Sequence, residues 1–274
     1  MQKLLPVNCK NNIMIAGHCG NIGGNIAPNT TASYDAAFYQ GAKIIEMDVA
    51  RSKDGNYHMF HTDKEALLLH KRKPFGTYTS KEISKFSVYN TMGNKTKYSP
   101  EKLEDILAHF RGKDCYLNLD RSWDYWEDLL PHISDMGMTD QILLKCEPNA
   151  SLLETLEKYG PDFPYMMIIN HRNMHMLEDI KQYGVNYVGA ELIIKTPDSP
   201  ILTENVIQRL HSENKICWGN AIQWSPNTNL SVWHNDEISI TGRPDDGWGW
   251  FVEQGFDIIQ TDWVKALHEY LKSL

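Results

Sequence analysis

Two carboxylates, Glu46 and Asp48, stand two residues apart directly after the apolar run Lys43-Ile44-Ile45, and two histidines, His18 and His61, flank them in sequence. On an extended strand, residues i and i+2 leave the same face, so both carboxylates point one way. Two such groups aimed at one spot repel unless a cation lies between them or one stays protonated. Oxygen-only ligands suit Mg2+, Ca2+ or Mn2+. Imidazoles that titrate near neutrality suit proton transfer on either side of such an ion. Residues 13–63 therefore hold the raw material of a metal-assisted acid/base centre. His58, three residues before His61 on an extended segment, points to the opposite face and is assigned a structural part. Gly20, Gly23 and Gly24 let the backbone after His18 approach a bound group closely.

Such a centre needs a frame, and the rest of the chain has the pattern of one. Short apolar runs at 13–16, 44–48, 115–119, 142–145, 165–169, 186–190, 215–219 and 257–260 read as strands. Between them, apolar residues recur at helical spacing over 31–39, 100–110, 125–133, 150–159, 173–183, 203–211, 246–254 and 262–271. Ser99-Pro100-Glu101 and Thr203-Glu204 read as helix starts, and Gly160, Gly184 and Gly255 as left-handed helix ends. Eight strands, each followed by a helix, predict an α/β fold, a (β/α)8 TIM barrel. A doubly wound sheet is the weaker alternative, since the first strand-to-helix loop lacks a G-x-G-x-x-G fingerprint. One domain is expected over 1–274. After the second strand, residues 64–98 break the rhythm and read as a long surface loop with a short helix near 79–86, lining one side of the site.

In a barrel of this kind the chemistry sits at the C-terminal strand ends. Those positions carry His18, Glu46, Asp48, Asp120, Lys145, Glu147, Asn170, His171, Glu191, Asn220 and Asp262. This convergence of ionisable groups is the functional signal. Of the eight tryptophans, Trp218 and Trp263 are expected to wall a substrate pocket.

Composition excludes other classes. The 274 residues are 42% hydrophobic and 23% charged, with a net charge of −8 and dispersed lysines and arginines, so a nucleic-acid surface is not expected. No apolar run approaches the roughly 20 residues of a transmembrane helix. Five cysteines, odd in number and widely spaced, read as buried free thiols. The first dozen residues do not form a signal peptide, so a cytoplasmic location is expected, or a periplasmic or secreted one if a signal has been removed.

The block Glu46-Met47-Asp48-Val49-Ala50-Arg51-Ser52-Lys53-Asp54-Gly55 resembles the E-x-D-V-x-x-T-x-D-G signature of the glycerophosphodiester phosphodiesterase family. His18-Cys19-Gly20, Ala27-Pro28-Asn29-Thr30 and His61-Thr62 resemble that family's H-R-G, P-E-N-T and H-D. Leu117-Asn118-Leu119-Asp120 is similar to its third-ligand strand, and Gly255–Asp262 to its closing G-x-D-x-x-x-T-D. The resemblance implies a TIM barrel and one divalent cation held by Glu46, Asp48 and Asp120. It implies His18 and His61 as acid and base in either order, and a small phosphodiester substrate. That substrate is expected to be a glycerophosphodiester, cleaved to glycerol phosphate and an alcohol through attack by the neighbouring glycerol hydroxyl. Asn29 is carried over as substrate-binding.

Four positions depart from the family pattern: Cys19 for arginine, Pro28 for glutamate, Thr62 for aspartate, and Ser122 for a lysine two residues after the third ligand. The metal and proton-transfer groups are kept while phosphate-binding charge is lost. Arg51, Arg121 and Lys145 are the expected replacements. A lipid-headgroup phospholipase of the same barrel type and a phosphate-binding barrel without turnover remain as alternatives.

Overall fold

A computed structural model describes residues 12–274. The strands are β1 (Met14–Gly17), β2 (Ile44–Arg51), β3 (Tyr57–Met59), β4 (Tyr116–Asp120), β5 (Ile142–Cys146), β6 (Tyr165–Ile169), β7 (Tyr187–Leu192), β8 (Ile216–Asn220) and β9 (Ile258–Thr261). All but β3 are parallel to their neighbours, in the order β1-β9-β8-β7-β6-β5-β4-β2, and β1 pairs with β2 to close the barrel. The eight expected strands are these eight. β3 is an addition: β2 runs on past Asp48, turns at Ser52–Asn56 with Gly55 at φ 84°, and pairs antiparallel with β3.

Strand alternation separates two cores. Ala16, Ile44, Tyr116, Leu143, Met166, Ile216, Trp218 and Ile258 fill the barrel interior. Ile45, Met47, Leu117, Leu119, Leu144 and Ile259 face outward onto Trp126, Leu156 and Phe251 of the helices. Strands covered on both sides are apolar at nearly every position, which explains why they read as short apolar runs.

The helices hold more corrections. The one expected from residue 100 begins at Leu103. Glu101 instead reaches across to Thr31, accepting from its amide at 2.5 Å and its hydroxyl at 2.8 Å, and so supplies a carboxylate to the N-terminus of helix Thr31–Gln40. Thr203 ends a short helix, Pro200–Thr203, and the next, Val206–Ser212, starts after a left-handed Asn205. Residues 173–183 form only Met176–Asp179 and a 3-10 turn. Of the three glycines expected to be left-handed, Gly255 is (φ 88°). Gly160 is not, and its missing Cβ leaves room for Leu130.

The 64–98 segment is not the loose excursion its polar composition suggests. Phe60, Leu69, Phe75, Ile83 and Val88 form a core of their own with Ala27 and Ala50. Phe60 and Phe75 stack with ring centroids 4.9 Å apart. Its short helix, Ser80–Ile83, is tied to the β2–β3 turn by Asp54, which accepts from the Ser80 amide at 2.9 Å. Cys19, Cys115, Cys146 and Cys217 are free and buried, and Cys9 lies outside the described residues.

Phe75→Ala should cost about 3–5 kcal/mol and speed amide exchange across 64–98 while the barrel strands keep their protection. Hydrogen exchange alongside denaturant unfolding checks this. Equal loss of protection in β4–β8 would show that the segment and barrel fold as one unit.

Candidate active site

β2 and β4 pair in register, Glu46 beside Asn118 and Asp48 beside Asp120. The inward residues of both strands thus stack Glu46 one pleat below Asp48 and Asp120. One oxygen from each of the three carboxylates lies within 4.8 Å of the others. Glu46 and Asp48 are buried and well anchored. Glu46 Oε2 accepts from the Cys19 amide at 2.6 Å, and Asp48 Oδ2 from Asn29 Nδ2 at 2.8 Å and the Cys19 thiol at 3.4 Å. Asp120 Oδ1 is buried with no hydrogen-bond partner.

Burial and then the Asp48 charge raise the Glu46 pKa, to about 8. Burial raises that of Asp120 to about 6, with Lys145 opposing and Asp48 adding to the shift. Three acids that cannot all ionise comfortably, one with an orphaned oxygen, are a donor set that fits a hard divalent cation.

Beside them lies Lys145, whose Nζ is 2.5 Å from Glu191 Oε2 and 3.8 Å from the centroid of the Trp218 ring. Burial works against its charge, and Glu191 and Asp120 overcome this, so the ammonium persists. Glu191 also accepts from Asn220 Nδ2 at 2.8 Å. Trp218 is fully buried beneath Lys145, its Nε1 donating to Asn220 and Gln260. It is a floor for the lysine, not the pocket wall the sequence suggested.

His18 Nδ1 lies 2.8 Å from Asp262 Oδ1, joining the ends of β1 and β9. Asp262 is set in turn by Asp236, which accepts from its amide at 2.8 Å and from Thr261 Oγ1 and Trp248 Nε1, each at 2.7 Å. Burial alone would lower the His18 pKa. The Asp262 hydrogen bond and charge, with Glu46 and Asp48 behind them, raise it to about 9. His61 is positioned through the chain itself: the Phe60 amide donates to the Asp48 carbonyl at 3.0 Å, and His61 Nδ1 lies 2.5 Å from the Thr62 carbonyl. That carbonyl can only accept, so Nδ1 carries a proton, and in the neutral ring Nε2 offers a lone pair.

The remaining expected residues divide. Arg121, left-handed at φ 55°, sits at the mouth with Nη2 3.2 Å from the exposed Asp63 carboxylate. Arg51 does not join the site. It is an odd number of residues from Asp48, so it leaves the outer face and pairs with Asp128 at 3.1 Å. Asn29 is turned to Asp48 at both ends of its amide, its Oδ1 accepting from the Asp48 amide at 3.0 Å and from Tyr34 OH at 2.8 Å. It positions a carboxylate and has no free polar atom directed at a substrate. Trp263 is half-exposed beside a cavity of about 540 Å3 that Asn21, Ile22, Asp262 and Lys265 also line.

Sequence reasoning gave Glu191 and Asp262 no role, although both had been placed at strand ends. Inner-face parity singles out both, Asp262 through Ile258 and Gln260 on β9, and Glu191 two residues after Gly189 on β7, level with the interior Trp218. Asp236 and Tyr34 act through tertiary contacts that no spacing reveals.

Residues 165–271 match the family DUF4996, a domain of unknown function. No curated protein matches the chain in sequence. Among solved structures, it is similar to a glycerophosphoryl diester phosphodiesterase from Parabacteroides distasonis, with a TM-score of 0.81, 21% identity, and 98% of this chain and 90% of that one covered. A glycerophosphodiester phosphodiesterase from Agrobacterium tumefaciens superposes with a TM-score of 0.67 at 17% identity, covering 94% and 99%. An Oleispira antarctica phosphodiesterase in complex with the product sn-glycerol-3-phosphate gives 0.64 at 14% identity, covering 95% and 97%. The fold is theirs: a closed (β/α)8 barrel.

In chelator-treated protein His18 should keep its proton through neutral pH and lose it only as pH rises through about 9. Asp262→Asn removes the charge that raises this value, and the titration should fall toward the ordinary imidazole range near ~6.5. NMR of the ring protons reads both, and an unchanged titration in Asp262→Asn would remove the carboxylate as the cause.

Proposed function

We propose that this chain is a metal-dependent phosphodiesterase that cleaves a glycerophosphodiester to glycerol phosphate and an alcohol. The observation that carries the reading is the carboxylate trio Glu46, Asp48 and Asp120 with His18 beside Glu46 at one barrel mouth, to which the reading adds His61 from the end of the β3 segment. The shared fold with phosphodiesterases, one of them in complex with sn-glycerol-3-phosphate, supports it.

Glu46, Asp48 and Asp120 would hold a divalent cation, Mg2+, Ca2+ or Mn2+, which supplies neutralisation of a non-bridging phosphate oxygen. Arg121 and Lys145 supply the remaining positive charge. Arg121 is the more available of the two, because its partner Asp63 has a side chain 85% exposed and competes weakly for it. Thus a guanidinium just past the end of β4 stands in for the arginine that Cys19 replaces.

Proton traffic follows from the tautomers. His61 Nε2 takes the proton of the glycerol hydroxyl as that oxygen attacks phosphorus. The bond from phosphorus to the leaving oxygen breaks, and the His18 imidazolium protonates that oxygen through Nε2. A cyclic phosphate remains, with His18 neutral and His61 charged. Water then attacks phosphorus, His18 removes its proton, and His61 returns one to the ring oxygen that departs. One water is consumed and both histidines regain their starting states.

The loops after β8 and β9 favour a second reading. Trp224, Trp233 and Trp263 are all substantially exposed there, and tryptophan suits a boundary between water and lipid. On that reading the cleaved alcohol is carried on a lipid.

His18→Ala and His61→Ala should each lower kcat by about 10²- to 10⁴-fold on glycerophosphocholine, and chelation should abolish turnover. Arg121→Ala should act mainly on KM. Release of glycerol phosphate measures all three, and full activity in the double histidine variant would overturn the assignment. A higher kcat/KM on vesicle-borne lysophospholipid than on the water-soluble diester would select the lipid reading.

A further inference from the structure

Cys19 is held on every side. Its amide donates to Glu46 Oε2, and its carbonyl accepts from the Asn29 amide at 3.2 Å and Ser33 Oγ at 3.0 Å. Its backbone is left-handed at φ 50°, a conformation disfavoured outside glycine. That backbone directs the thiol into the barrel mouth, 3.4 Å from Asp48 Oδ2. One donor atom each of His18, Cys19 and Glu46 lies within 4.8 Å of the others. Zinc bonds are about 2.0 Å from nitrogen or oxygen and 2.3 Å from sulfur, so donors sharing one ion stand within about 4 Å of one another. A second observation points the same way. His18 gives Nδ1 to Asp262 and keeps Nε2 free, the carboxylate–histidine arrangement that orients an imidazole toward zinc.

We propose that His18, Cys19 and Glu46 form a position for a thiophilic divalent cation such as Zn2+, adjoining the carboxylate trio and sharing Glu46 with it. Sulfur and imidazole donors favour Zn2+ or Cd2+ over Mg2+ and Ca2+. On binding, the Cys19 S–H and His18 Nε2–H bonds break, both protons leave to solvent with any proton on Glu46, and the sulfur and nitrogen electron pairs enter the coordination sphere, with no change of oxidation state. An ion there occupies His18 Nε2 and withdraws the thiol from Asp48, so Zn2+ switches the site off. That last consequence rests on the proposed hydrolysis; the binding does not.

The test uses the full chain freed of metal by chelation. Cd2+ titrated into it should produce a thiolate-to-cadmium charge-transfer band that saturates at one equivalent and is absent from Cys19→Ser and Cys19→Ala. By calorimetry both substitutions should weaken Zn2+ binding about 100-fold, and Asp262→Asn about 10–100-fold. Mn2+ affinity, read by electron paramagnetic resonance, should stay within about twofold in the Cys19 variants. Zinc-edge X-ray absorption on the unaltered protein should show a sulfur scatterer, a readout that needs no variant to fold. Only nitrogen and oxygen scatterers would overturn the proposal. So would a Cd2+ band that survives both Cys19 substitutions and disappears in Cys217→Ser, which would place the ion at His211, Cys217 and Asp257 instead. None of these readouts depends on phosphodiester turnover.

Discussion

Three acids confined against one another at the ends of β2 and β4 are the constraint to which the surrounding structure responds. In-register pairing brings Asp48 level with Asp120, and alternation puts Glu46 directly beneath. Burial strengthens their repulsion, so every neighbour donates. The Cys19 amide serves Glu46, Asn29 and the Cys19 thiol serve Asp48, and Lys145 lends its charge to Asp120 from the next strand. The left-handed backbones of Cys19, Asn29 and Arg121 all occur at this mouth. Local strain of that kind persists where surrounding contacts over-determine it, and for Cys19 and Asn29 those contacts are the bonds to the carboxylates.

The barrel was legible because strands covered on both faces are short and uniformly apolar, and helices at 3.6-residue spacing separate them. Within the site, whatever followed from strand parity could be read directly. Glu46, Asp48 and Asp120 share the inner face, and the same rule would have sent Arg51 outward to Asp128. Contacts made across the barrel were not legible. Trp218 has inner-face parity but lies too deep to meet a ligand, and depth along a strand is fixed by registers the sequence does not print. Asn29 looked like a substrate group and is spent on Asp48, a role visible only once helix Thr31–Gln40 is packed with Tyr34 against it. The 64–98 segment misled for a different reason. Its apolar residues follow neither period because they sit on short turns, yet they meet in three dimensions.

The departures from the resembled family share one physical theme. Cys19 has no charge to offer phosphate, and Ser122 is buried between the Leu119 carbonyl and the Trp126 indole. Arg121, just past the end of β4, and Lys145 on β5 place positive charge on the opposite flank of the carboxylates from the β1 loop. A phosphate in this site would therefore be drawn toward that flank, leaving the His18 side lined by Asn21, Ile22 and Trp263 to meet whatever group it carries.

The bond from His18 to Asp262 spans 244 residues of sequence. Closing so long a loop has a high entropic cost and comes late in folding. The carboxylate trio, by contrast, needs only β2 and β4. A nascent chain thus holds all three carboxylates while most of the barrel is still unmade, but it cannot fix the tilt of His18 until β9 and Asp236 have arrived. In chain order, the three carboxylates are therefore complete well before the His18–Asp262 pair can form. The seam of the barrel is where its first strand meets its last.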